Sequence, residues 1–317
     1  MVRPAPPSFS EVPSASPPRE APRSLALSLL ISLRPEQWTK NLFVFAGLLF
    51  GLQLFNPTAL WRSVAAFAIF CALSGVVYLV NDVFDREADR RHPLKVRRPI
   101  ASGDLGVGVA LRAAAVLVVA ALGSAFALSW PFGFCALAYT VLMSFYSGRL
   151  KHIVILDVLT IAIGFVLRAS AGALAIGVPI SRWLLLCMIL LALFLGLAKR
   201  RHELVLLADG ATGHRRILEE YSPYLLDQMI SVVTASTFLA YAFYTVSPET
   251  EQKFGTDLLG LTIPFPLYGI FRYLYLVHQR KGGGSPSEML LTDTPLLACV
   301  ALWALTVVLI IYQPFWR

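Results

Sequence analysis

Charge is scarce in this chain. Only 15% of its 317 residues are Asp, Glu, Lys or Arg, against 57% that are hydrophobic, and the mean hydropathy is +0.67. A soluble domain of this length has no use for so much apolar surface. Cysteine is sparse too: Cys71, Cys135, Cys187 and Cys299 all fall in apolar runs. No two stand at a CxxC or CxxH spacing, which speaks against a metal site or redox pair built on thiols. His92, His152, His202 and His214 show no ligand spacing, and no Ser-His or His-carboxylate constellation offers a nucleophile with its base. Residues 1–23 hold seven prolines and no apolar core, so they read as a disordered tail rather than a signal peptide or a span.

Long apolar runs are plentiful. Nine have the length of a membrane span, near residues 38–55, 60–81, 107–128, 131–147, 153–176, 182–199, 225–246, 261–278 and 294–312. The expected fold is therefore an all-α integral membrane protein with nine transmembrane helices, in a domain covering 24–317. The segments on one nominal side hold 17 Lys and Arg residues: Arg34, Lys40, the six between Arg86 and Arg98, Arg149, Lys151, Lys199 to Arg201, Arg215, Arg216, Arg280 and Lys281. The other side holds four, Arg62, Arg182, Lys253 and Arg317. That asymmetry places the amino terminus in the cytoplasm.

The densest polar block, "VNDVFDREADRRHPLKVRRPIASG", follows the second run. If the helix continues through it, Asn81, Asp85 and Asp89 lie at i, i+4 and i+8 on one face, with Asp82 on the flank. Stacked carboxylates at a membrane boundary repel one another unless a cation neutralises them. A hard, oxygen-only set with few protein ligands suits Mg2+, which prefers to share its shell with water and phosphate. Lys95, Arg97 and Arg98 follow in a loop broken by Pro93 and Pro99, so they can fold back on the acids as a diphosphate clamp. The bland alternative is a solvated helix end with ordinary acid–base pairs.

Three further segments on the same side are polar. They carry Arg34 and Lys40; Tyr146, Arg149, Lys151 and Asp157; and Lys199, Arg200, Glu203 and Asp209. A site assembled from them opens at the cytoplasmic boundary, within reach of a soluble phosphorylated donor and a lipid-borne acceptor. Arg168, inside the fifth run, is either an interior functional residue or one that snorkels outward. A transporter is the non-enzyme alternative, but it calls for ionisable groups at the midplane rather than gathered at one face.

Asn81, Asp82, Asp85 and Asp89 form an NDxxDxxxD motif. With its position after the second run, the basic loop behind it and the nine runs, residues 30–312 resemble the UbiA superfamily of intramembrane transferases. The resemblance implies nine helices around a central cavity. Prenyl diphosphate-using members carry a second DxxxD motif after the sixth span; here that stretch is "KRRHELVLLADG", with no such pair, so a second metal is not implied.

The segments "LRPEQWTKN", "YSGRLKHIVILDVLTIAIGFVLRASAGA" and "AKRRHELVLLADGATGHRRILEEY" resemble one branch, the decaprenyl-phosphate phosphoribosyltransferases. That implies a cell (inner) membrane enzyme that moves 5-phosphoribose from phosphoribosyl diphosphate to a polyprenyl phosphate and feeds arabinofuranose donors for cell-wall arabinan. Asp82, Asp85 and Asp89 are then the catalytic acids, and Asn81, Asp85 and Asp89 the metal ligands. Lys95 and Arg98 hold diphosphate, and Lys40, Lys151, Lys199 and Arg200 take the other phosphates. Tyr146 and Arg168 complete the substrate site; Asp157 and Glu203 bind ribose hydroxyls or orient Lys151 and Lys199. A prenyltransferase with an aromatic acceptor is the runner-up. No nucleic-acid partner is expected, and homo-oligomerisation is left open.

Overall fold

The computed structural model describes residues 23–92, 95–208, 220–280 and 286–313. The proline-rich stretch, apart from Arg23, lies outside the described residues, as do Pro93, Asp209, His214, Arg215, Arg216, Lys281 and Arg317. All regular structure among the described residues is helical. The long elements are α3 (Pro57–Phe84), α6 (Val107–Leu128), α7 (Trp130–Gly148), α8 (Leu156–Ile176), α9 (Arg182–Ala208), α10 (Pro223–Val246), α12 (Pro264–Gln279) and α14 (Thr294–Ile311). Shorter helices are α1 (Leu25–Ser32), α2 (Ala46–Phe50), α4 (Arg86–Arg91), α5 (Pro99–Ser102), α11 (Pro248–Phe254) and α13 (Pro286–Thr292).

Six of these, α3, α6, α8, α9, α10 and α14, are long and apolar enough to cross a bilayer. Residues 258–279, which include α12, form with α11 a seventh candidate bent by 102°. The chain is thus a multi-pass membrane protein. One device starts helix after helix: a polar cap with proline one or two residues on, where its missing N–H costs nothing in the first turn. Asn56, Ser129, Ser222, Ser247 and Asp293 each accept a backbone N–H from the turn they open.

The first apolar run departs from expectation, because it is not one α-helix. Arg34 has a left-handed backbone, Pro35–Phe45 winds as a 3-10 helix, and only Ala46–Phe50 is α-helical. The segment is pressed against α8, where a Cβ on Gly172 would stand 1.8 Å from the Val44 carbonyl oxygen. Small residues let the two backbones meet: Ala169, Gly172, Ala173 and Ala175 of α8 are buried. α8 sits at the centre, touching α3, α7, α9 and the Pro35–Phe50 segment.

Two tethers join distant parts. Arg62, at the start of α3, donates to the carbonyls of Ala175 and Leu128 at the ends of α8 and α6, at 2.6 and 2.7 Å. A cation at two helix C-termini meets both the unpaired carbonyls and the helix dipoles. At the other extreme of the chain, the fully buried Tyr312 hydroxyl donates to the Leu49 carbonyl at 3.0 Å and accepts the Leu54 N–H at 3.1 Å.

Candidate active site

The acidic block stands at the end of a helix longer than a membrane needs. The 28 residues of α3 extend about 42 Å, whereas roughly 20 residues cross the hydrocarbon. The motif occupies the last turn of this helix and the short helix α4 that follows. The helix pauses at Asp85, with φ −86° and ψ 4°, yet the ladder continues across the pause. The Asp85 N–H donates to Asn81 O and the Asp89 N–H to Asp85 O, both at 2.8 Å.

The four motif side chains divide into two sets. Asp82 and Asp89, each 3% exposed, lie seven residues and so two turns apart on one face. Arg98 bridges them, donating to Asp82 Oδ1 at 3.1 Å and Asp89 Oδ2 at 2.6 Å. Arg34 donates to the same Asp82 oxygen at 2.5 Å, its guanidinium stacked over the Tyr78 ring. Asn81 and Asp85 form the second set, joined by an Asn81 Nδ2 to Asp85 Oδ2 bond of 2.9 Å. The Lys151 ammonium stands 3.3 Å from Asn81 Oδ1 and from both Asp85 oxygens. Instead of a single column, the three acids and the amide form two pairs, one held by Arg34 and Arg98 and the other by Lys151.

A third cluster joins α8, α9 and the start of α10. Asp157 is fully buried, with both oxygens engaged: Oδ2 accepts from Arg200 Nε at 2.7 Å and Oδ1 from the Tyr221 hydroxyl at 2.9 Å. Arg200 also donates to Glu203 at 2.5 Å, and Lys199 lies 3.9 Å from the same carboxylate. Tyr146 is near enough to interact electrostatically with Arg200. Burial pushes the Tyr221 phenol up to about 12, so it remains a donor at neutral pH.

Arg168 does not snorkel. It is 6% exposed, with Nε on Asn41 Oδ1 at 2.8 Å and a second nitrogen on the Tyr139 hydroxyl at 2.7 Å, over the Tyr139 and Phe165 rings. Asn41, fully buried, reaches on to Ser74 Oγ at 3.2 Å. Lys40 next to it has Lys199, Arg168 and Arg34 as neighbouring cations and Glu36 as a nearby acid. Lys95 is half-buried in the 3-10 turn Lys95–Arg97, its N–H on His92 Nδ1 at 3.3 Å.

The four polar segments therefore touch one another. Arg34 meets Asp82, Arg98 meets Asp82 and Asp89, Lys151 meets Asn81 and Asp85, and Arg200 meets Asp157. Asn41, Tyr139 and Tyr221 are members that the sequence alone did not single out as site residues, and their partners lie 127, 29 and 64 residues away. Arg34, which the sequence places in a converging polar segment without a role, is the partner of Asp82.

Among the described residues, no three carboxylate, imidazole or thiol groups form a ready-made metal cage. The donor chemistry fits magnesium nonetheless. Asn81 and Asp85 already turn three oxygens toward one ammonium, and magnesium takes one or two carboxylates and fills its shell with water and phosphate.

The model of the UbiA prenyltransferase family matches residues 41–292. The chain is 33% identical over 303 residues to the decaprenyl-phosphate phosphoribosyltransferase of Corynebacterium glutamicum, covering 93% of this chain and 90% of that one. With the Mycolicibacterium smegmatis protein of the same name it shares 31% over 315 residues, 94% and 96% of the two chains. A UbiA homologue from Archaeoglobus fulgidus bound to GPP and Mg2+ has the same fold, with a TM-score of 0.69 at 20% identity over 90% of this chain and 99% of the other.

Proposed function

Because the chain belongs to the UbiA prenyltransferase family, we propose that it transfers 5-phosphoribose from phosphoribosyl diphosphate to a polyprenyl phosphate and releases diphosphate. The observation that carries this reading is its likeness, over nine-tenths of both chains, to decaprenyl-phosphate phosphoribosyltransferases. The site agrees with it. α9 presents Lys199, Arg200 and Glu203, tied to Asp157, where prenyl diphosphate users are expected to carry a second aspartate pair.

In the proposed reaction a lipid phosphate oxygen bonds to C1 of the ribose while the C1–O bond to diphosphate breaks, its electron pair leaving with diphosphate. The acceptor is already an anion, so no general base is needed. Magnesium, when bound, offsets the charge that grows on the leaving group. Asn81 and Asp85 hold that cation, with Asp89 and Asp82 behind them through Arg98. Lys151, Lys95 and Arg98 gather the diphosphate, and Lys40, Arg168, Lys199 and Arg200 supply positive charge for the remaining phosphates. Asp157 and Glu203 orient Arg200 and Lys199.

We read the membrane architecture as nine spans with the amino terminus and the site on the cytoplasmic side of the inner membrane. The Pro35–Phe50 segment supports the count. Eleven 3-10 and five α-helical residues together reach about 30 Å, the thickness of the hydrocarbon.

One assay tests the function: purified protein, magnesium, radiolabelled phosphoribosyl diphosphate and decaprenyl phosphate. Label is expected in the lipid fraction, and chelation of the metal is expected to abolish it. Reaction of a prenyl diphosphate with an aromatic acid instead, with no ribosyl transfer, overturns the reading.

A further inference from the structure

The backbone that carries Lys151 is strained, and a tyrosine outside the acidic motif holds it. Ile155 has φ +69° and ψ −45°, and the Leu156 N–H donates to the Val154 carbonyl at 2.8 Å. Residues 154–156 thus make a three-residue turn of the hand that L-amino acids rarely adopt. A β-branched side chain makes that conformation still less favourable, and such an outlier persists only where its surroundings enforce it.

The enforcement is visible. The Ile155 N–H donates to the Tyr221 hydroxyl at 2.7 Å, and that hydroxyl donates to Asp157 Oδ1 at 2.9 Å. One oxygen therefore staples the strained residue and the carboxylate two positions later. Arg200 anchors the second Asp157 oxygen, and Tyr221 is only 4% exposed. On the other side of the turn, the Asp157 N–H donates to Ile153 O at 3.0 Å and the Ile153 N–H to Leu150 O at 3.1 Å. This hydrogen-bonded path runs straight to the Leu150–His152 turn that bears Lys151.

We propose that Tyr221 is a positioning residue for diphosphate binding: it fixes the strained turn at Ile155 and so aims Lys151 at the Asn81–Asp85 pair. Relaxation of Ile155 to an ordinary backbone shifts the Leu150–His152 turn and withdraws the ammonium. The inference rests on the role of Lys151 given above. It does not depend on which diphosphate ester the protein uses.

Tyr221→Phe removes the hydroxyl and keeps the ring. Magnesium-dependent binding of inorganic diphosphate to the full-length protein, read by isothermal calorimetry, is expected to weaken about tenfold, the size of one backbone outlier. Glycine adopts the turn without a staple, so adding Ile155→Gly is expected to restore affinity to within about threefold of wild type. A merely structural role for Tyr221 gives no such rescue.

Unchanged affinity in Tyr221→Phe, or a double variant as weak as the single one, overturns the proposal. If Tyr221→Phe does not fold, the double variant decides alone: it must fold and bind, and failure in either counts against the proposal. Failure of wild-type protein to turn over phosphoribosyl diphosphate, with the tyrosine effect on diphosphate intact, refutes the proposed function and leaves the role of Tyr221 standing.

Discussion

Asp82 and Asp85 are three residues apart in one motif, yet their surroundings assign them different work. Asp82 is 3% exposed and meets the guanidiniums of Arg34 and Arg98, whereas the Asp85 side chain is 36% exposed and, among the described residues, meets an amide and a lysine. Breaking a buried ion pair by removing one partner is costly because the other charge is left without compensation. Asp82→Ala is therefore expected to lower stability by about 3 kcal/mol, the low end for such pairs because both arginines are partly hydrated. Asp85→Ala is expected to leave the thermal midpoint nearly unchanged while reducing magnesium-dependent turnover about 100-fold or more. Unfolding in detergent measured beside turnover separates the two; near-normal activity in Asp85→Ala removes that carboxylate from the proposed chemistry. The motif was legible in the sequence because three aspartates and an asparagine in nine residues at a helix end call for a cation. Their division into two pairs was not, since it depends on which of several nearby cations reaches each one.

At the scale of elements, the sequence announces most helices through apolar length and through the cap-and-proline starts. It misreads the first run for a reason of contact rather than propensity. Residues 38–55 are apolar enough for one helix, but Val44 approaches α8 so closely that the segment winds as a 3-10 helix beside Gly172. Gly172→Ala places a methyl against the Val44 backbone and is expected to destabilise the protein by about 3 kcal/mol. Gly123→Ala in α6 meets nothing within 4 Å and is the matched control, expected to stay within about 0.5 kcal/mol of wild type. Equal thermal midpoints for the two variants show that the close approach does not constrain the fold. A one-dimensional pattern holds no information about which glycine meets which carbonyl 128 residues earlier.

Over the whole molecule, the polar segments that carry the site are spread along the sequence from Arg34 to Tyr221, and their convergence was expected from charge asymmetry alone. The tethers that hold the framework were not. Arg62 reads as a stray basic residue until the ends of α6 and α8 are seen to meet it, and nothing in the sequence distinguishes Tyr312 from the other tyrosines. Tyr312→Phe leaves the Leu54 N–H without its partner and takes one donor from the Leu49 carbonyl. It is expected to cost about 1–3 kcal/mol and to increase hydrogen exchange at residues 48–54. Exchange unchanged there assigns the closure to apolar packing instead.

That closure also has a place in time. Leu54 and Tyr312 are 258 residues apart, and a chain grows at about 5–20 residues per second. For roughly 10–50 s of synthesis, the turn after α2 must therefore wait beside the membrane with its polar backbone groups served by water, lipid headgroups or a chaperone. The last long helix thus completes the first segment as well as the bundle, and the α8 residues that meet Val44 are synthesised well before the phenol that pins residues 48–54.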